Sequence, residues 1–166
     1  MKNDMQLQQD VIAELNWDPS INATHVGVSA SDGAVTLTGH VSSYAEKWAA
    51  ERAALRVAGV KALAIEMDVQ LPNADRRDDA DISRSVANLL QQMAEIPKEG
   101  LQVMVEKGWV TLSGTVEWDY QRQIATRMVR HLLGVTGVSD NIAIRPKLSM
   151  NEVKGGVENA LRRRAI

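Results

Sequence analysis

Apolar residues recur at Leu7, Val11 and Leu15, four apart, which is the stripe of an amphipathic helix. Pro19 bounds that helix. The period then changes to two. Val26, Val28 and Ala30 alternate with Gly27, Ser29 and Ser31, and after Asp32-Gly33 the alternation resumes at Val35, Leu37, Gly39 and Val41. Two strands around an Asp-Gly turn predict a β-hairpin, because glycine tolerates the positive φ that a two-residue turn requires. Ser43 and Glu46 then stand at capping-box spacing, which predicts a helix start with two amides satisfied reciprocally. Ala49, Ala53 and Val57 are the expected inner side of this helix, and Gly59 its stop. A third strand follows in Leu63, Ile65, Met67, Val69 and Leu71.

The whole pattern occurs twice, at an offset of 75 residues and without a gap. Gly33-Ala34-Val35-Thr36-Leu37-Thr38-Gly39-His40-Val41 lies over Gly108-Trp109-Val110-Thr111-Leu112-Ser113-Gly114-Thr115-Val116, Gly59-Val60 over Gly134-Val135, and Arg52 over Arg127. Leu7, Val11 and Leu15 lie over Ile82, Val86 and Leu90, with Pro97 as the expected bound of the second copy's first helix. Ile124, Met128 and Leu132 are its expected second-helix stripe, and Val138, Ile142 and Ile144 mark its third strand. The predicted class is α+β: two tandem αββαβ modules, each a three-stranded mixed sheet with two helices on one face. Residues 3–71 form the first module, 72–78 a linker, 79–147 the second module, and 148–166 a C-terminal helix. That last helix carries Val153, Val157 and Leu161 behind Ser149 and Glu152, like the opening of a third copy, and is a candidate for homodimerisation. Gly33, Gly39, Gly59, Gly108, Gly114 and Gly134 repeat in register and read as structural glycines of turns, helix stops and close packing. The acids of the linker precede the second module's first helix, where negative charge complements the helix dipole.

The duplicated Gly-x-Val-x-Leu-x-Gly-x-Val hairpin resembles the BON domain, as does the Gly134-Val135-Thr136-Gly137-Val138-Ser139-Asp140-Asn141 run, which has one residue more than the family's usual spacing before Asn. The first copy departs from the second motif, with Gly59-Val60-Lys61-Ala62-Leu63 and Glu66 opposite Asn141. The resemblance implies a bacterial, non-enzymatic binding module of stress or envelope physiology. It also implies a peripheral adaptor whose partners are a phospholipid surface or an envelope protein.

Composition narrows the chemistry. There is no Cys, which excludes disulfides, thiolate metal sites and cysteine nucleophiles. The net charge of −2 argues against a basic field for nucleic acid. No phosphate-cradling loop, His-Glu-x-x-His or Gly-x-Ser-x-Gly is present, so no catalytic residue, cofactor or metal is expected. His25, His40 and His131 are scattered without ligand spacing. Met1-Lys2-Asn3-Asp4 leads into no apolar run, so the chain reads as cytoplasmic, or as periplasmic if a leader has been removed.

The candidate binding surface is the open sheet face of the second module with the basic tail. It comprises Met104, Trp109, Thr111, Trp118 and Arg145, with Arg162, Arg163 and Arg164. Trp109 has only Ala34 as its counterpart, so it either packs on the other module or the tail, or meets a membrane interface. Residues 1–71 carry five basic and nine acidic side chains, which directs any anionic contact to the second module or tail. Two rivals remain at this point: a protein-interaction or chaperone-like module docking at a sheet face or edge, and an ion or small-ligand sensor whose modules close on binding.

Overall fold

The computed structural model describes residues 2–97 and 100–146. The first module runs α1 (Asp4–Trp17), β1 (Val26–Ser31), β2 (Ala34–Val41), α2 (Tyr44–Arg56) and β3 (Ala62–Val69). The second runs α3 (Asp79–Gln92), β4 (Leu101–Glu106), β5 (Trp109–Val116), α4 (Asp119–Arg130) and β6 (Gly137–Ile144). Each sheet has the hairpin strands antiparallel and the third strand parallel to the second, in the orders β1-β2-β3 and β4-β5-β6. The architecture is thus the expected α+β pair of mixed sheets. The tail helix, with Arg162, Arg163 and Arg164, lies outside the described residues.

Each central strand contributes the sealed centre of its core. Val35, Leu37 and Val41 are buried in the first module beneath Leu7, Val11 and Leu15. Val110, Leu112 and Val116 are buried in the second beneath Ile82, Val86 and Leu90. The alternation breaks once per module, at Gly39 and Gly114. Both have positive φ, 102° and 117°. A Cβ there would lie 1.8 Å from the His25 carbonyl oxygen and 2.0 Å from that of Gly100. Only glycine lets the start of the first strand come so close.

The turns are tied to the helices. Asp32 and Gly33, and Lys107 and Gly108, all have positive φ, as a two-residue hairpin turn demands. In the first module the Asp32 amide donates to Asp4 Oδ1 at 2.9 Å. In the second the Lys107 and Gly108 amides donate to the two oxygens of Asp79, both at 2.9 Å. One carboxylate in the first helical turn therefore fixes the hairpin's position. Asp78 caps α3 by accepting the Asp81 amide at 2.7 Å, so the acids before this helix act at its N-terminus as charge alone suggests.

Three expectations need correction. The inner side of α2 is Ala50, Ala53 and Ala54, and that of α4 is Gln121, Ala125, Thr126 and Val129, a rotation away from the expected stripes. Ala49, Val57 and Leu132 are only partly buried at the core margin, Ile124 is partly buried, and Met128 is exposed. On α2 the inward side chains are all alanine, which lets that helix lie close on the sheet and on α1. Pro97 does not end α3, which stops at Gln92, the repeat equivalent of Trp17. What the two loops share is Ile21 and Ile96, each buried in its core.

The capping box is the third correction. Ser43 Oγ accepts the Glu46 amide at 3.2 Å, but the reciprocal bond is missing, and Glu46 Oε2 is buried without a partner. Gln121, its counterpart, is fully engaged. Its Oε1 accepts the Glu117 and Trp118 amides at 2.9 and 2.8 Å, while its Nε2 donates to the Glu95 carbonyl at 2.5 Å. A carboxylate only accepts, whereas an amide also donates to the loop.

Two predictions follow for stability, both read from chemical denaturation midpoints. Glu46→Gln should stabilise by about 1 kcal/mol, and Gln121→Glu should destabilise by about 1–3 kcal/mol, because the buried carbonyl of Glu95 loses its donor. Gly39→Ala and Gly114→Ala should each cost at least ~2 kcal/mol from backbone strain alone, and unaltered midpoints would disprove the close approach.

Candidate functional site at the module junction

The sequence places Trp109 on the open face of the second sheet, and there it is, but it is laid down across β6. The indole covers Gly137, where a Cβ would fall 2.1 Å from the ring. Its N–H donates to Ser139 Oγ at 2.7 Å. Its ring faces that of Tyr44 at 6.2 Å and 54°. Trp109 is thus a packing residue between modules, though 42% of its surface stays exposed. Met104, 61% exposed, pairs in register with Thr111 on the same face. Trp118 and Arg145 are elsewhere. Trp118 is the N-cap of α4 and 51% exposed. Arg145 follows β6, its amide donating to the Val116 carbonyl at 2.8 Å. These two lie past one end of β5 and Trp109 opens the other, about 25 Å away along an eight-residue strand. The expected surface therefore divides into two groups.

Positions that differ between the copies converge instead. Tyr44 and Trp48 of α2 have Asp119 and Gln123 as counterparts in α4. Tyr44 packs against the second module's core, with its hydroxyl 3.5 Å from the Val138 carbonyl of edge strand β6. Burial pushes the Tyr44 hydroxyl above the usual phenol range, with Glu51 adding to the shift. The Arg130 guanidinium lies over the Trp48 ring, 3.6 Å from its centroid, and Arg52 sits at 5.3 Å. Burial lowers the Arg130 pKa from its ordinary value. The nearby charges of Arg52 and Arg127 lower it further, against an opposing effect of Tyr44. It remains a cation at neutral pH.

Beside this stack is a cleft of about 410 Å³ lined by Trp48, Tyr120, Gln123, Ile124, Thr126, Arg127 and Arg130, with no carboxylate in its walls. Tyr120, Ile124, Arg127 and His131 follow at spacings of four, three and four, so they share the face of α4 turned from the core. Tyr120 is 52% exposed and Met128 42%. Sequence reasoning missed this face because Ile124 and Met128 resemble core residues by spacing. The available signal was the departure of positions 44, 48 and 109 from the repeat.

Other features are structural. The clefts where each first helix meets its hairpin turn are repeat equivalents, framed by Gly33 and Gly59 in one module and Gly108 and Gly134 in the other. Three of their cations are engaged: Lys2 donates to the Ala58 carbonyl and pairs with Asp10, and Arg76 and Arg77 donate to the carbonyls of Leu71 and Ala74. His25 and His40 stack at 4.5 Å and 17°, and His131 Nδ1 is 2.8 Å from the Arg127 carbonyl. Among the described residues no group of three or more metal-ligating side chains is present.

No curated protein matches the sequence. Among solved structures, the C-terminal domain of CdsD, a structural protein of the type III secretion system of Chlamydia trachomatis, is similar with a TM-score of 0.37 and 13% identity over 87% of this chain and 68% of that one. A second CdsD structure gives a TM-score of 0.38 and 12% identity over 97% of this chain and 70% of that one. The sequence profile of the BON domain matches residues 3–70 and 78–146. With most of its length in two such matches, and with one αββαβ fold in each, the chain belongs to the BON domain family as a tandem of two domains.

Proposed function

We propose that this protein is a peripheral adaptor of the bacterial envelope that binds anionic phospholipid surfaces through the outer face of α4. One observation carries the reading. Tyr120, Ile124 and Met128 present apolar surface to solvent on a helix whose outward arginines, Arg127 and Arg130, have no carboxylate partner among the described residues. Apolar side chains between unpaired cations suit the boundary between headgroups and acyl chains. The family's association with envelope and phospholipid roles supports the same reading. Contact is peripheral, since no helix among the described residues is long and apolar enough to cross a membrane. Trp109 is spent on the junction in this reading, and the basic tail residues Arg162, Arg163 and Arg164 are proposed as a second cationic contact.

Flotation with vesicles of phosphatidylcholine, with and without phosphatidylglycerol, tests the proposal. The protein should float only with anionic vesicles and release as salt rises. Arg127→Glu replaces one attraction by one repulsion, about 2 kcal/mol, and should weaken binding by roughly thirtyfold. Ile124→Glu should abolish flotation. Loss of binding in Met104→Ser, with Ile124→Glu unaffected, would move the contact to the open sheet face and refute the reading. Retrieval of a defined polypeptide without any flotation would make the protein-interaction rival the better one.

A further inference from the structure

The two sheets differ in how their edge strands are closed to further pairing. On β1 the Gln8 side chain of α1 donates to the Val28 carbonyl at 2.9 Å. On β3 the carboxylates of Glu66 and Asp68 stand exposed along the edge. On β6 Tyr44 covers the strand, its hydroxyl 3.5 Å from the Val138 carbonyl. Side-chain cover and edge charge keep one strand from recruiting another. The remaining edge, β4, has neither device. Its sequence, Leu101-Gln102-Val103-Met104-Val105-Glu106, contains no Pro or Lys, and its one charge lies at the turn end. It pairs with β5 residue for residue, without a bulge.

The alternation of an antiparallel pair decides which backbone groups are free. Glu106 and Trp109 flank the two-residue turn and bond to each other, so Met104 and Gln102 also bond towards β5. Leu101, Val103 and Val105 therefore turn their N–H and C=O groups outward. Val28, the repeat equivalent of Val103, does the same in the first module, where Gln8 takes its carbonyl. The counterpart of Gln8 is Ser83, whose short side chain donates instead to the Ala80 carbonyl of its own helix at 3.0 Å. Among the described residues nothing bonds to Val103 or Val105 on the outer side. The same flank of α3 is small throughout, with Ala80, Ser83 and Ala87 where α1 has Met5, Gln8 and Ile12.

A second copy of this chain does not suit the edge. Paired strands lie about 4.8 Å apart. Because α3 packs on β4, a two-fold related copy would bring its own α3 onto the same face at a similar spacing. Two packed helices need about 8–10 Å between their axes. A strand with no helix of its own meets no such conflict. We infer that β4 is a docking edge for an extended peptide segment of another protein, which joins the second sheet as a fourth strand. Its backbone bonds to Val103 and Val105. Its side chains alternate between Met104, 61% exposed on the open face, and the small flank of α3, so segments with apolar residues at alternate positions fit. The lipid reading uses α4 and is independent of this edge.

The test uses the whole chain. A blocked peptide of alternating valine and threonine with lysine ends is titrated while amide hydrogen exchange is followed residue by residue. The amides of Val103 and Val105 should slow by at least tenfold, and the same peptide with proline for valine should have no effect. Ser83→Gln places at β4 the cap that Gln8 gives β1, and should weaken binding at least tenfold with an unchanged circular dichroism spectrum. Val103→Pro removes an outward donor without breaking a bond to β5, and should abolish binding. Unchanged exchange at both amides with millimolar peptide would overturn the inference, as would slowed exchange that survives Ser83→Gln. Slowing that rises with protein concentration in the absence of peptide would overturn the single-strand occupant and assign the edge to a second copy. Vesicle flotation reports on α4 and is read separately, so failure of either reading leaves the other standing.

Discussion

Each module depends on how closely two backbones can approach at the inner end of its hairpin. The first strand must begin almost against the central strand, and the carbonyls of His25 and Gly100 occupy the space where Gly39 and Gly114 would carry a Cβ. Because that approach is allowed, the central strand can pair antiparallel on one side and parallel on the other, while Val35, Leu37 and Val41, or Val110, Leu112 and Val116, remain sealed. The tie from Asp4 or Asp79 to the hairpin turn then sets the first helix over the sheet. The helix stripes, the hairpin and the third strand all follow from these two fixed points.

Duplication of such a module gives two self-sufficient cores and no inherent reason for them to touch. The contact is built from substitutions that break the repeat: Tyr44 for Asp119, Trp48 for Gln123 and Trp109 for Ala34. Aromatic side chains suit this role because each covers a large apolar area and has a definite direction of polarity. Trp109 closes over Gly137 and bonds Ser139, and Tyr44 covers β6 at an otherwise open sheet edge. Covering that edge also removes a site for unwanted strand pairing.

The elements were legible because the repeat supplied each pattern twice. Leu7, Val11 and Leu15 and their counterparts are buried as spacing predicts, and the first hairpin turn falls at Asp32-Gly33 as expected, with its repeat equivalent at Lys107-Gly108. The second helices were not legible in phase. The inner side of α2 is alanine and that of α4 is largely Gln121, Ala125 and Thr126, which carry little hydrophobic signal, so Ile124 and Met128 dominated the pattern although they face outward or lie at the margin. The Glu46 side chain shows a different limit. Its spacing from Ser43 is that of a capping box, but the local environment favours an amide with a donor, which spacing does not encode. Trp109 was identifiable as exceptional, and its partner Tyr44 was not, because nothing in the linear pattern relates α2 to β6.

The same asymmetry bears on function. Both modules have the same framework of glycines, hairpin ties and buried strands, so that framework does not distinguish a binding module from a spacer. What distinguishes them is charge and exposed apolar surface. Glu66 and Asp68 make the open edge strand of the first sheet acidic, while α4 gathers Tyr120, Ile124, Met128 and two unpaired arginines on one side. Exposing such a combination raises the free energy of the isolated protein, by repulsion and by hydration of apolar surface. The first module does not reproduce it, with Ala45, Ala49 and Arg52 where α4 has Tyr120, Ile124 and Arg127. It instead supplies Trp48 as a platform for Arg130. The surface at the junction is thus built from side chains of both modules.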